Sequence, residues 1–316
     1  MLEVISKAGD DNIAVVYLAK TGSGKFIEFV ESVQPPIPRE KKWVLIVSTL
    51  YGCPVGCPMC DAGGFYQGRL SSKDILAQID YLVKNRFPNG KVISEKFKIQ
   101  FARMGEPALN PAVLGVLDML PSLYDVKQLI PSVSTVAPEA CGVFLDDLLA
   151  IKNEHYFDGN FQLQFSIHST DQKLREKIIP IKKWDFAKIA KFGARFKNLR
   201  DQKITLNFAL TDDCYLSTEV LKEYFDPEVF LIKITPVNPT INASENNLAS
   251  YFTYGNAEED KLGIIDQLKD AGFQVILSIG ELEENKIGSN CGQYIKKFLA
   301  KGKLAVADSM YTYDVK

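Results

Sequence analysis

The chain has 316 residues, 46% of them hydrophobic and 24% charged, enough for a sizeable core in one large domain or two smaller ones. Its formal net charge is −2 and its pI about 5.9, which exclude a global electrostatic pull toward nucleic acid. No apolar run reaches the roughly 18 residues that a membrane span needs. The N-terminus carries early acids and lacks a basic segment ahead of a long apolar one, so it does not read as a signal peptide and the expected location is the cytoplasm.

Residues 1–40 hold two short strand-like runs, IAVVYLA and FIEFVESV, on either side of the turn-rich TGSGK. They predict a small β-hairpin extension, closed off by Pro35, Pro36 and Pro38. Apolar runs then recur at WVLIVSTL (43–50), KFKIQFA (96–102), QLIPSVSTV (128–136), FQLQFSIH (161–168), KITLNFAL (203–210), VFLIKITPV (229–237) and FQVILSI (273–279). Helical-period segments separate most of them, among them SSKDILAQIDYLVKN, NPAVLGVLDMLPSL, WDFAKIAKFGARFKN and EEDKLGIIDQLKDAG. Strands alternating with helices predict an α/β chain with a parallel sheet, and six or seven such units predict an open or partial (β/α) barrel over 41–280. Residues 281–316 are then a C-terminal segment.

In such folds the active groups come from loops after the strand C-termini, and the chemically distinctive residues fall there. Cys53, Cys57 and Cys60 follow the first barrel strand, and Gly105, Glu106 and Pro107 the second. Ser134 ends the third, Ser166 and His168 the fourth, and Asn238 follows the sixth. His155 falls in a loop and is assigned no role.

Six cysteines in a cytosolic chain of this length point to metal or redox chemistry rather than a disulfide framework. In YGCPVGCPMCDAGG three of them are spaced C-x3-C-x2-C. Three thiolates on one loop suit three corners of an iron–sulfur cube. The fourth iron is then open to the amino and carboxylate groups of a methionine moiety, next to a sulfonium bond that one electron would cleave. Glycines and prolines between the cysteines let the loop wrap tightly. The alternatives are a zinc site, which usually takes four ligands, often as two C-x2-C pairs, and incidental buried cysteines. Only two histidines are available and no second pair is present.

From VSTLYGCPVGCPMCDAG, QFARMGEPALN, SVSTV, FSIHSTDQKLREKIIPI, ITPVNP and SNCGQY, taken in that order, the chain resembles the radical SAM superfamily. More narrowly it resembles the RlmN/Cfr group of RNA adenine methyltransferases. The resemblance runs from about residue 12 to about residue 300 and implies a radical SAM barrel, a [4Fe–4S] cluster on Cys53, Cys57 and Cys60, and S-adenosylmethionine (SAM) beside it. Gly105, Glu106 and Pro107 would meet the methionyl amine, and Ser134, Ser166, His168 and Asn238 the rest of SAM. A helix cap or turn is the alternative for each, with Glu106-Pro107 and Asn110 opening a helix. Cys291, in SNCGQY, would carry a methyl group from one SAM. A radical from a second SAM would take a hydrogen from that methyl, and the carbon radical would add to an sp2 carbon of the substrate. The alternative for Cys291 is a small buried hydrophobe. The chemistry also implies a reductant such as flavodoxin or ferredoxin.

Four departures qualify the resemblance. The family resolves its covalent adduct with a cysteine seven residues before the first cluster cysteine, and here that position is Ile46, which leaves Cys141, Cys214 or another route. The N-terminal RNA-binding helical domain of RlmN is not expected in this chain. Arg103 replaces a family glycine beside the SAM turn, where a guanidinium would contact a substrate carboxylate or phosphate. GELEENKIGSN places Glu281, Glu283 and Glu284 before Cys291, where they would repel a phosphate backbone unless they belong to a solvated loop facing elsewhere. KLREKIIPIKKWDFAKIAKFGARFKNLRDQK is rich in Lys and Arg, either an RNA patch or the solvated face of a helix.

The leading expectation is methyltransferase-like chemistry through Cys291 on an RNA adenine or a smaller molecule. An RNA adenine C2/C8 methyltransferase proper, a radical SAM enzyme that transfers no methyl group, and a non-catalytic metal-binding module are the alternatives.

Overall fold

The computed structural model describes residues 2–212, 216–251, 259–279, 284, 287–289, 294–296 and 313–315, the side chains of 259–262 and 313–315 excepted. Eleven strands form one sheet. They are β1 (Glu3–Asp10), β2 (Ala14–Lys20), β3 (Phe26–Ser32), β4 (Lys42–Val47), β5 (Lys96–Phe101), β6 (Leu129–Thr135), β7 (Gln162–Ser166), β8 (Ile204–Leu210), β9 (Phe230–Pro236), β10 (Val275–Leu277) and β11 (Tyr313–Val315). Their spatial order is β10-β9-β8-β7-β6-β5-β4-β3-β2-β1-β11. From β4 to β10 every neighbouring pair is parallel. Those strands are the barrel units expected from the alternating pattern.

The barrel strands have two unlike faces. On β5, Phe97, Ile99 and Phe101 are fully buried against the helices, while Lys98 and Gln100 alternate onto the inner face. Eight helices accompany the strands among the described residues: α1 (Ser72–Arg86), α2 (Ala112–Leu123), α3 (Gly142–His155), α4 (Gln172–Ile178), α5 (Phe186–Phe196), α6 (Thr218–Tyr224), α7 (Ile241–Glu245) and α8 (Glu259–Asp270). Helix α1 starts where Ser71 Oγ accepts from Asp74 N at 3.1 Å, and it buries Ile75, Ile79, Leu82 and Val83 at helical spacing. Asp185 opens α5 in the same way, accepting from Lys188 N at 2.7 Å.

The expected hairpin is present as β2 and β3, paired antiparallel, and β1 adds a further strand to it. The extension has three antiparallel strands, and β3 pairs antiparallel with β4 (Val30↔Ile46), so it prolongs the barrel sheet. Half of the side chains of strand β1, EVISKAGD, are exposed, so it lacks the apolar run that marks a buried strand. His155 is also corrected: it closes α3 and its Nε2 lies 2.9 Å from Asp118 Oδ1.

Candidate functional site

The loop after β4 carries the three cysteines and is pinned at both ends. Thr49 N and Leu50 N donate to Met104 O at 2.8 and 3.1 Å. Asn110 Nδ2 donates to Thr49 O at 2.7 Å and Leu70 O at 2.8 Å, while its Oδ1 accepts from Ala112 N at 3.1 Å. Asn110 is not the N-cap expected of it: that position before α2 is Pro111, and Asn110 ends the 3-10 turn while its side chain clasps the cysteine loop. Gly105 is at φ +97°, and a Cβ there would lie 2.4 Å from Leu50 Cβ. Only glycine lets the two loops approach this closely. At Gly52, φ is +75° and a Cβ would meet the Phe65 backbone at 3.0 Å.

A second set of bonds holds the loop to the segment after β9. Asp61 accepts from Ile241 N at 3.0 Å and Asn242 N at 2.8 Å, and Thr240 Oγ1 donates to Met59 O at 2.8 Å. Asn242 Nδ2 donates to Cys60 O at 2.6 Å. The sequence reading did not single out Asp61, Thr240 or Asn242. The acid directly after the third cysteine is the only local signal for them.

Cys53, Cys57 and Cys60 line a cavity of about 370 Å³ at the C-terminal ends of the parallel strands. Gly105, Glu106, Ser134, Ser166, His168 and Asn238 line the same cavity. Residues far apart in the chain thus meet at the end of the barrel where such sites form. Pro107 does not line it; it is buried at the first position of the 3-10 turn Pro107–Leu109. The volume falls within the usual range for small-molecule sites, roughly 300–1,000 Å³. Among the described residues no group of three His, Cys, Asp or Glu side chains is gathered to hold a single metal ion. The three thiols instead share the wall of a space large enough for a multi-atom group, and thiol sulfur is the donor that iron–sulfur clusters take.

Burial dominates the electrostatics. It pushes the Cys57 thiol up to about 12, with Cys53 and Glu106 adding to the effect, and the Cys53 thiol up to about 11. Iron would displace these protons on binding. Glu106 is raised to about 7 by burial, against the stabilising bonds its carboxylate accepts from Thr135 Oγ1, Val136 N (2.8 Å) and Ala108 N (3.0 Å). A carboxylate has about four acceptor positions, so Glu106 acts as a turn cap and still keeps acceptor capacity at the cavity wall. His168, in the left-handed region at φ +63°, accepts from Ala209 N at its Nδ1 (3.1 Å). Its proton therefore sits on Nε2, and burial, helped by Arg175, lowers its pKa to about 4.

Arg103 lines the cavity, and its guanidinium is also engaged within the protein. Nη2 lies 3.0 Å from Glu28 Oε1 with both side chains fully buried. Nη2 also donates to Gly288 O at 2.8 Å, and Nη1 donates to Ser289 O. Glu28 in turn accepts from Ile295 N at 3.2 Å through Oε2. The pair grips the chain on both sides of 290–293. Cys291 lies outside the described residues, as do Cys214, Glu281 and Glu283. Glu284 lines the cavity. Ile46 packs against the apolar cluster that contains Tyr294, next to the same gripped segment. Cys141 is fully buried in the main core, with its thiol pushed up to about 12 by burial, unsuited to attack a disulfide or adduct. In the basic stretch, Lys188, Arg195 and Arg200 pair with Glu139, Asp146 and Asp158 at 3.2, 2.9 and 3.4 Å, and Arg175 is buried against Trp184 O. The first two of these pairs are exposed contacts on α5, and Arg200 pairs in the turn that follows it.

No family model matches the chain. Among curated proteins it is similar to the probable dual-specificity RNA methyltransferase RlmN of Prochlorococcus marinus, 34% identical over 177 residues that cover 55% of this chain and 46% of the relative. The proteins of the same name from Syntrophomonas wolfei and Thermus thermophilus are each 26% identical, covering 87% and 90% of this chain and 77% and 75% of theirs. The chain spans about half to two-thirds of the length of the first relatives it matches. In three dimensions it shares the fold of a radical SAM methyltransferase from Sphaerobacter thermophilus, with a TM-score of 0.67, 19% identity and coverage of 92% of this chain and 80% of that one.

Proposed function

We propose, from the premise that this chain is a divergent relative of the radical SAM RlmN/Cfr-like family, that it is a radical SAM enzyme with methyltransferase-like chemistry. The observation that carries the reading is the single cavity shared by Cys53, Cys57 and Cys60 with Gly105, Glu106, Ser134, Ser166, His168 and Asn238. The three thiolates would hold a [4Fe–4S] cluster and the other residues would hold SAM; such a pair, when bound, would supply one-electron reductive cleavage and a one-carbon unit.

The chain's own groups orient these partners. Glu106 offers its remaining acceptor capacity to the methionyl ammonium, a charge-assisted contact that favours its ionised form. His168 offers Nε2–H as a neutral donor. Cys291 carries the one-carbon unit, and the Arg103–Glu28 pair positions the segment that holds it. The target is an sp2 carbon, in an RNA adenine as the relatives' names suggest or in a smaller molecule. A reductant such as flavodoxin or ferredoxin delivers the electron, in the cytoplasm. Residues 1–40, 41–280 and 281–316 divide into β extension, barrel and carrier segment.

A second reading, SAM cleavage without methyl transfer, is favoured by Ile46 and the core burial of Cys141, which leave no described thiol to resolve an adduct. Iron and sulfide analysis of the anaerobically reconstituted chain, with electron paramagnetic resonance of its reduced form, tests the shared premise. The expected result is about four iron per chain and a signal that SAM perturbs. Zinc in place of iron, or a signal indifferent to SAM, would overturn it.

A further inference from the structure

The wall of the cavity formed by β7, β8 and β9 carries polar side chains that the reading above does not use, Gln164, Asn207 and Lys233. Strand register sets them side by side. Asn207 pairs with Ser166 on β7 and with Lys233 on β9, and Gln164 lies two residues before Ser166. Leu206 and Phe208, on either side of Asn207, are fully buried in the main core, so the Asn207 side chain points the other way, into the lumen. Two residues further on, Ala209 N donates to His168 Nδ1 at 3.1 Å. Asn207 is therefore level with Ser166 and about 7 Å deeper than the His168 contact, at the rise of roughly 3.3 Å per residue of a parallel strand. Gln164 is deeper again. This wall continues the site downward from the groups assigned to SAM, away from the cysteine loop.

Asn207 is the buried member of the three, 8% exposed, and its Oδ1 is shut off from solvent with no hydrogen-bond partner among the described residues. An acceptor left unmade in this way destabilises the protein, and leucine would fill the position without that cost. A ligand that donates to Oδ1 removes it. The carboxamide presents its acceptor and its N–H donors side by side in one plane. Its complement is the mirror pattern, an N–H next to a ring nitrogen. The methyl-transfer reading needs an sp2 carbon in the substrate, and such a ring supplies one. We propose that Asn207 is the specificity-determining residue for the substrate. It holds the edge of a nitrogen heterocycle where an amino group adjoins a ring nitrogen, in the lumen next to SAM, with Gln164 and Lys233 as flanking donors. This rests on the reading of the cavity as the SAM and substrate site.

The test uses the full chain, anaerobically reconstituted and saturated with SAM so that the adenosyl pocket is filled. It is titrated calorimetrically with adenine and separately with purine, which keeps the ring nitrogens and lacks the amino group. Wild type should bind adenine saturably and purine at least about tenfold more weakly, the scale on which losing one half of a bidentate pair discriminates. Asn207→Leu should bind both at the purine level with unchanged SAM affinity, and Asn207→Ala, which introduces no clash, should show the same pattern. Equal binding of adenine and purine by wild type, no binding of adenine, or an adenine preference that survives in both variants would overturn the proposal. A loss of SAM affinity in the variants would overturn it too, by assigning the residue to SAM. An adenine-containing oligoribonucleotide run alongside distinguishes the source of the base: whichever binds tighter with dependence on Asn207 is the form of the substrate. Formation of 5′-deoxyadenosine by reduced wild type is read in the same samples; its absence would remove the radical SAM reading and leave the adenine result standing.

Discussion

Removing one partner of the buried Arg103–Glu28 pair should cost far more than removing both. In Arg103→Met, Glu28 stays in a fully buried site without its cation, and stranding a buried charge costs about 3–5 kcal/mol. For a chain of this size that lowers the melting temperature by on the order of 10 °C. The pair lies 3.0 Å apart, yet Glu28 Oε1 has no well-aligned hydrogen bond and burial already raises the Glu28 pKa despite Arg103. Its attraction is therefore partly offset in the native protein. The double variant Glu28→Met/Arg103→Met replaces both charges with apolar groups, forfeiting the bonds to Gly288 O, Ser289 O and Ile295 N but leaving no lone ion. Its loss should fall short of the sum of the single losses by at least about 2 kcal/mol. Denaturant unfolding of the four proteins, followed by circular dichroism, gives the cycle directly. Additivity within about 0.5 kcal/mol would refute the coupling and with it the grip on the segment around Cys291.

Gly105→Ala should destabilise by about 2 kcal/mol or more, through positive φ and the clash with Leu50, and SAM affinity should fall with it; an alanine variant as stable as wild type would contradict the close approach of the two loops. His168 is buried neutral with its pKa lowered to about 4, so the unfolded chain binds more protons than the folded one between about 6.5 and 4. Its contribution is therefore present above 6.5 and lost as pH falls toward 4, up to about 3 kcal/mol; His168→Asn, which tolerates the left-handed backbone, should flatten that part of the stability–pH curve, and an unchanged slope would show that the imidazole is not buried neutral. Cys57→Ala should abolish cluster loading as read by iron analysis and visible absorbance while the far-ultraviolet circular dichroism stays native. Mass spectrometry of that variant, expressed with SAM available, should find a methyl group on Cys291 more abundantly than in wild type; an unmodified Cys291 in both would sink the carrier role.

The barrel was legible because apolar strand runs such as WVLIV, ITLNFAL and FLIKITP alternate with helical-period segments. Strand β1 was not, since half its side chains face solvent and dilute the signal. At the site, local spacing disclosed the cysteine loop and the Gly105–Glu106 turn. The Arg103–Glu28 pair was not legible, because Glu28 sits on an extension strand whose contact with the loop no local pattern encodes. Asp61 and Asn242 were missed for the same reason: each acts by holding a distant loop. The inward lysines Lys98 and Lys233 stand in the sequence as single polar residues on alternating apolar strands, a pattern that an open lumen produces and a solid core does not.

The central claim is tested most directly by reducing the reconstituted protein anaerobically, adding SAM, and quantifying 5′-deoxyadenosine and S-adenosylhomocysteine in one sample. Both products together are the predicted result, since one SAM is cleaved reductively and another donates its methyl group. Neither product, from a protein carrying its full complement of iron, would contradict the account.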